Sequence, residues 1–169
     1  MGAADCERIG QGLLAQPVNA MTSLAFVIAG AWIVYRALGA AKGRARMTLF
    51  GIAVASVGVG SVLYHGPQPA QAQTVHDGTI VIVVAGVCVL ELIRARRRVH
   101  RDRRGDLVAL AALLLGGVAF TFGRTDSPLC SPGAVVQLHG LWHVLAALAL
   151  AAYASAAEHP TTVDPEVAN

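Results

Sequence analysis

His139-Gly140-Leu141-Trp142-His143 lies inside the most apolar segment near the C-terminus, which runs from about Ala134 to Ala156. A segment of that length and composition can cross the hydrocarbon core of a bilayer as one helix. On a helix, a spacing of four puts both imidazoles on one face, one turn apart. A helix offers two nitrogen ligands to a single metal in this way. The competing reading is a pair of interfacial histidines at the mouth of a helix. The rest of the chain favours the metal.

The whole chain is as apolar as this segment suggests. Of its 169 residues, 55% are hydrophobic and only 14% are charged, and the mean hydropathy is +0.58. Ordinary soluble domains carry more charge and less apolar residue, so the fold class is an all-α, polytopic membrane bundle of one domain. The net charge of +3 is small. The basic residues are not interleaved with aromatics, which excludes a nucleic-acid surface. Three cysteines do not make a disulfide-dense scaffold.

Five spans are expected, at about Pro17–Ala37, Met47–His65, Asp77–Ile93, Asp106–Phe122 and Ala134–Ala156. Pro17 suits the first turn of a helix, where its missing N–H costs little. Gly51, Ala55, Gly58 and Gly60 give the second span small faces for close packing. A loop rich in Pro and Gln joins it to the third. Residues 1–16 form a short polar segment without the basic start of a signal peptide. Residues 17–156 form the membrane-embedded domain, and 157–169 a polar tail. No internal repeat is visible, and nothing specifies an oligomeric state.

The arginines orient the bundle. Arg36, Lys42, Arg44 and Arg46 surround the first loop, and Arg94, Arg96, Arg97, Arg98, Arg101, Arg103 and Arg104 the third. Only Arg8 and Arg124 fall on the other side. The positive-inside rule then puts the N-terminus outside and the C-terminal tail in the cytoplasm. The expected location is the plasma membrane, or the inner membrane of a bacterium.

With that orientation, the outer side collects polar residues from three spans. The second ends there with Ser61 and His65, one turn apart. The third begins with His76 and Asp77, and the fifth with His139 and His143. Such residues are costly in a bilayer unless they pair or bind something. Three neutral imidazoles can hold Zn²⁺ and leave a fourth position open. His65, His139 and His143 fit the ligand role, Asp77 that of general base, and Ser61 that of oxyanion donor. Ser61 bonding back to its own helix is an alternative. Asp77 as an N-cap is compatible with catalysis. His76 points about 100° away from Asp77 on a helix and reads as an interfacial residue. His100 and His159 lie in the cytoplasmic loop and the tail. Trp32, Trp142, Tyr64 and Tyr153 read as interfacial or packing residues, Cys88 as a mid-span packing residue, and Glu91 as a snorkelling residue or a partner of Arg94.

Ser-x-x-x-His, then Asp, then His-x-x-x-His resembles the signature of the alkaline ceramidase and progestin/adiponectin-receptor superfamily. Cys130-Ser131-Pro132-Gly133 before His139, and Cys6-Glu7 before Gln16-Pro17-Val18-Asn19, are similar to the ceramidase branch. The likeness runs from Cys6 to about Ala147. It implies an intramembrane zinc amidase with His65, His139 and His143 on zinc and with Asp77 and Ser61 beside them. It also implies a Cys6–Cys130 disulfide, and the orientation above puts both cysteines outside, where disulfides persist. A calcium site near the N-terminus is a further family feature. Glu7 and Asn19 match that region and Asp5 is close by, but Gln16 replaces a family carboxylate, which argues against calcium. The family has seven spans and this chain five, so the cavity for lipid tails must differ.

The reading is a zinc-dependent membrane hydrolase cleaving an amide bond of a ceramide-like lipid drawn from the bilayer. The alternative is a receptor-like or structural membrane protein in which zinc is a staple. A proton or ion pathway is disfavoured because the other spans lack acidic residues.

Overall fold

The computed structural model describes residues 2–40, 43–97 and 103–158, and side chains within these except at 97, 157 and 158. Six helices follow one another: α1 Pro17–Thr22, α2 Leu24–Gly39, α3 Arg44–His65, α4 Ala72–Arg97, α5 Arg103–Phe122 and α6 Leu138–Glu158. Among the described residues there are no strands, only an isolated bridge between Asp5 and Arg124. Ser23 interrupts α1 and α2 but keeps helical angles of −60° and −24°, so Pro17–Gly39 acts as one span. With it, five helices are long and apolar enough to cross a membrane. The chain fits a multi-pass membrane protein.

The distribution of side chains agrees. Large apolar residues such as Ile28, Leu49, Val81, Leu114 and Leu148 face outward, while Gln16, Asn19, Ser23, Ser61, His65 and His143 are buried. Apolar side chains gain nothing by leaving lipid, so helices there associate through close packing and polar contacts. Gly30 and Gly51 show the first. A Cβ on Gly30 would lie 2.5 Å from the Gly51 carbonyl oxygen, and one on Gly51 2.8 Å from the Gly30 carbonyl oxygen. Only glycine lets α2 and α3 approach this closely. Phe26, Ile33, Phe50, Val54, Val57 and Ala146 fill the core between α2, α3 and α6.

Helices α4, α3, α2, α6 and α5 neighbour one another in that order. The ring does not close. Among the described residues, no Cα of α4 comes within 8 Å of one in α5 or α6. The histidines lie at one end of the bundle, where α3 ends and α6 begins. The arginine-rich ends of α4 and α5 lie at the other.

Several boundaries differ from the sequence reading. Helix α4 begins at Ala72 rather than Asp77, because Gln73, Thr74 and their neighbours are polar but helix-compatible and extend its first turns into the expected loop. Asp77 is therefore inside α4 and is not its N-cap. Helix α6 begins at Leu138, after a turn-rich stretch in which Gln137 bonds the carbonyls of Ser131 and Ala134. Cys88 is exposed on α4 and does not pack. Glu91 pairs with Arg94 one turn away. His100 and His159 lie outside the described residues, as do 159–169 of the tail.

Candidate metal centre

Three buried histidines converge where α3 ends and α6 begins. His65 is the last residue of α3, and His139 and His143 are one turn apart on α6. One ligand atom from each can be chosen so that all three lie within 4.8 Å of one another. Ring centroids are 5.1 Å apart for His65 and His139, 5.1 Å for His65 and His143, and 4.7 Å for His139 and His143. His65 Nε2 and His139 Nδ1 are buried without a hydrogen-bond partner. The orphaned Nε2 of His65 costs free energy that a cation would recover, whereas His139 Nδ1 faces the Asp5 carboxylate. The set therefore fits a metal ion.

The opposite sides of the rings are well supported. His65 Nδ1 donates to Gln16 Oε1 at 2.7 Å. His143 Nδ1 lies 3.2 Å from the carbonyl oxygen of Asn19, with Thr22 Oγ1 at 3.2 Å and Ser23 Oγ at 3.3 Å. Partners of this kind fix the tautomer and aim the free nitrogen. Asp5 Oδ1 lies 3.2 Å from His139 Nδ1, close enough for an ion pair but not aligned as a hydrogen bond. Burial pushes the Asp5 carboxyl up to about 6, against the opposing pull of Arg124.

Ser61 does not bond back to its helix. Its Oγ lies 2.8 Å from Ser23 Oγ and 3.5 Å from His143 Nε2. Asp77 is 62% exposed and accepts a hydrogen bond of 2.9 Å from His76 Nδ1. His76, read from helical geometry as an interfacial bystander, stacks on Tyr64 at 4.7 Å and lines the same cavity as the three histidines. Neighbours on a helix can meet when one side chain folds back to the other, which the 100° rule for Cβ directions does not capture. Tyr64 accepts a hydrogen bond from the Gly2 amide.

The cavity has a volume of about 830 Å³. Asp5, Ser61, His76 and Asp77 border it with the three histidines, and it follows the opening between α4 and α5 down to Asp106 and Tyr153. Its walls there are apolar, with Val83, Val84 and Val87 on α4, Leu110 and Leu113 on α5, and Leu150 on α6.

Cys6 and Cys130 form a disulfide with Cα atoms 5.4 Å apart. Of the side chains proposed for calcium, Asn19 has Oδ1 and Nδ2 buried without a hydrogen-bond partner, and the two carboxylates are engaged elsewhere. Both Glu7 oxygens accept hydrogen bonds of 2.7 Å from the amides of Val18 and Asn19, while Asp5 faces His139. Gln16 and Asp5 had no assigned part at the histidines in the sequence. The only signal for Gln16 is its place directly before the first span, and Asp5 has none.

Comparison with known proteins finds no matching family model, no matching curated protein and no matching solved structure.

Proposed function

We propose that this chain is a zinc-dependent integral membrane hydrolase that cleaves an amide bond of a ceramide-like lipid. The observation that carries the reading is the union of two features. A three-histidine cluster opens directly onto an apolar cavity that is unsealed between two spans. An acyl chain entering from the bilayer through the α4–α5 opening would have its polar linkage held at the histidines. Nitrogen-rich tetrahedral sites with an open position suit zinc.

Zinc in such a site supplies Lewis acidity and activated water near neutral pH. The chain's own groups supply the rest. Asp77, held by His76, accepts the proton from the attacking water and passes it to the leaving amine. Ser61, with its hydroxyl at the histidines, donates to the oxyanion that develops on the scissile carbonyl. The valine and leucine walls exclude water from the tail and align the head. The arginine asymmetry puts the histidine end outside the cytoplasm, and a disulfide at that end suits such a compartment.

One observation favours the receptor-like or structural alternative: Asp77 is largely exposed and engaged with His76. Turnover decides between the two. Detergent-purified protein loaded with zinc should release fatty acid from a labelled N-acyl sphingoid lipid. Full zinc occupancy with no release from any lipid amide or ester would leave the structural reading.

A further inference from the structure

Each of the three histidines turns Nδ1 toward the same short piece of chain, residues 5–19. His65 meets Gln16, His139 meets Asp5 and His143 meets the Asn19 carbonyl. These partners come from the polar segment before the first span and from its first turn. We infer that Gln16 is a positioning residue of the metal centre, and that the segment Gly2–Gln16 is the outer wall that holds His65 in its ligating form. The inference rests on the reading of the three histidines as a metal site.

Gln16 is fully buried, and its amide has one workable orientation. Nε2 donates to the carbonyl oxygens of Gly2 at 3.1 Å and Glu7 at 2.8 Å. Turning the amide over would set Oε1 against two carbonyl oxygens, so Oε1 is left to face His65. An acceptor at that place requires the proton on His65 Nδ1. The lone pair is then on Nε2, the buried nitrogen that has no partner within the chain. A metal ligand needs this tautomer.

The segment that supplies Gln16 is laced to the bundle. The Gln16 and Ala15 amides bond the carbonyls of His65 and Gly66, at 2.7 and 3.0 Å. Further along, Cys6 is tied to Cys130 and its amide bonds the Gly123 carbonyl. Gly2 closes the wall. It has φ +70°, and a Cβ there would lie 2.3 Å from Gln16 Oε1. Gly2 is therefore required both by its backbone angle and by the amide it covers.

The test is metal affinity, measured by chelator competition on the full chain in detergent with zinc, and repeated with cobalt for its visible spectrum. Removing an outer partner of a metal-bound histidine typically weakens binding by about 10–100-fold. Gln16→Leu should show that loss and should change the cobalt bands, with helix content and the disulfide retained. Gly2→Ala should weaken zinc by a smaller factor, about 3–10-fold, by displacing the same amide. In the Gln16→Leu background Gly2→Ala should cost nothing more, because the group it displaces is gone. Wild-type affinity in Gln16→Leu overturns the inference, and so does a Gly2→Ala loss that persists in that background. If Gln16→Leu does not fold, Gly2→Ala alone decides, and unchanged affinity overturns the inference. A wild-type chain that binds neither zinc nor cobalt overturns the metal reading as well, so the two failures are distinguishable.

Discussion

Asp5 and His139 face each other across 3.2 Å, one from the polar N-terminal segment and the other from the first turn of α6. The two residues stand near opposite ends of the chain, yet the carboxylate is buried, at 7% exposure. Its pKa is raised from 3.8 to about 6, chiefly by burial. The folded metal-free protein thus holds this proton more tightly than the unfolded chain. The contribution to stability is greatest below the unfolded value and falls as pH rises to about 6. Relative to Asp5→Asn, the metal-free wild type should lose on the order of 3 kcal/mol across that window. Unfolding curves of both proteins at several pH values check this. A difference that does not vary with pH would mean that Asp5 is not buried as an acid.

Zinc should bind at about one ion per chain, as expected for a single three-histidine set. His139→Ala should lose it, and so should His65→Ala and His143→Ala. Elemental analysis of detergent-purified protein gives the answer. Full zinc in any of these variants would remove that histidine from the site.

Asp77→Asn should keep zinc and fold, because Asp77 is not among the converging ligands. Loss of a general base typically costs about 10²–10⁴-fold, so turnover of a labelled lipid amide should nearly vanish. Ser61→Ala should fall by roughly 10–10³-fold, as for an oxyanion donor. Wild-type turnover in Asp77→Asn would transfer the base role to another group bordering the cavity.

The opening between α4 and α5 should be the route for the acyl chain. Leu113→Trp would fill the apolar part of the cavity that Val84 and Val87 also line. It should raise KM for long-chain amides, with zinc content unchanged, by about 10-fold if roughly 1.4 kcal/mol of chain burial is lost. Equal KM values for short and long chains in wild type and variant would place the tail elsewhere.

Orientation is open to chemical labelling. In a Cys88→Ser background, Ala40→Cys at the arginine end should be shielded from an impermeant thiol reagent in intact cells. Gln71→Cys at the histidine end should react. The reverse pattern would put the site on the cytoplasmic face.

The sequence by itself determined the five apolar helices, because hydropathy and helix length are local properties that a bilayer reads directly. It also determined the pairing of His139 with His143, since four residues on a helix make one turn. That His65 would join them followed from counting spans, which set which helix ends share a side. The tertiary structure alone decided the rest. Gln16 and His65 are 49 residues apart, and no periodicity links a polar segment to a histidine at the end of a distant helix. The opening between α4 and α5 comes from which helices touch, and their apolar faces look alike in sequence whether they meet lipid, a cavity or another helix. His76 turned from bystander to partner of Asp77 through a side-chain rotamer, which spacing along a helix does not specify. Local pattern fixes what each helix is; contacts between distant residues decide what the histidines are held by and what they open onto.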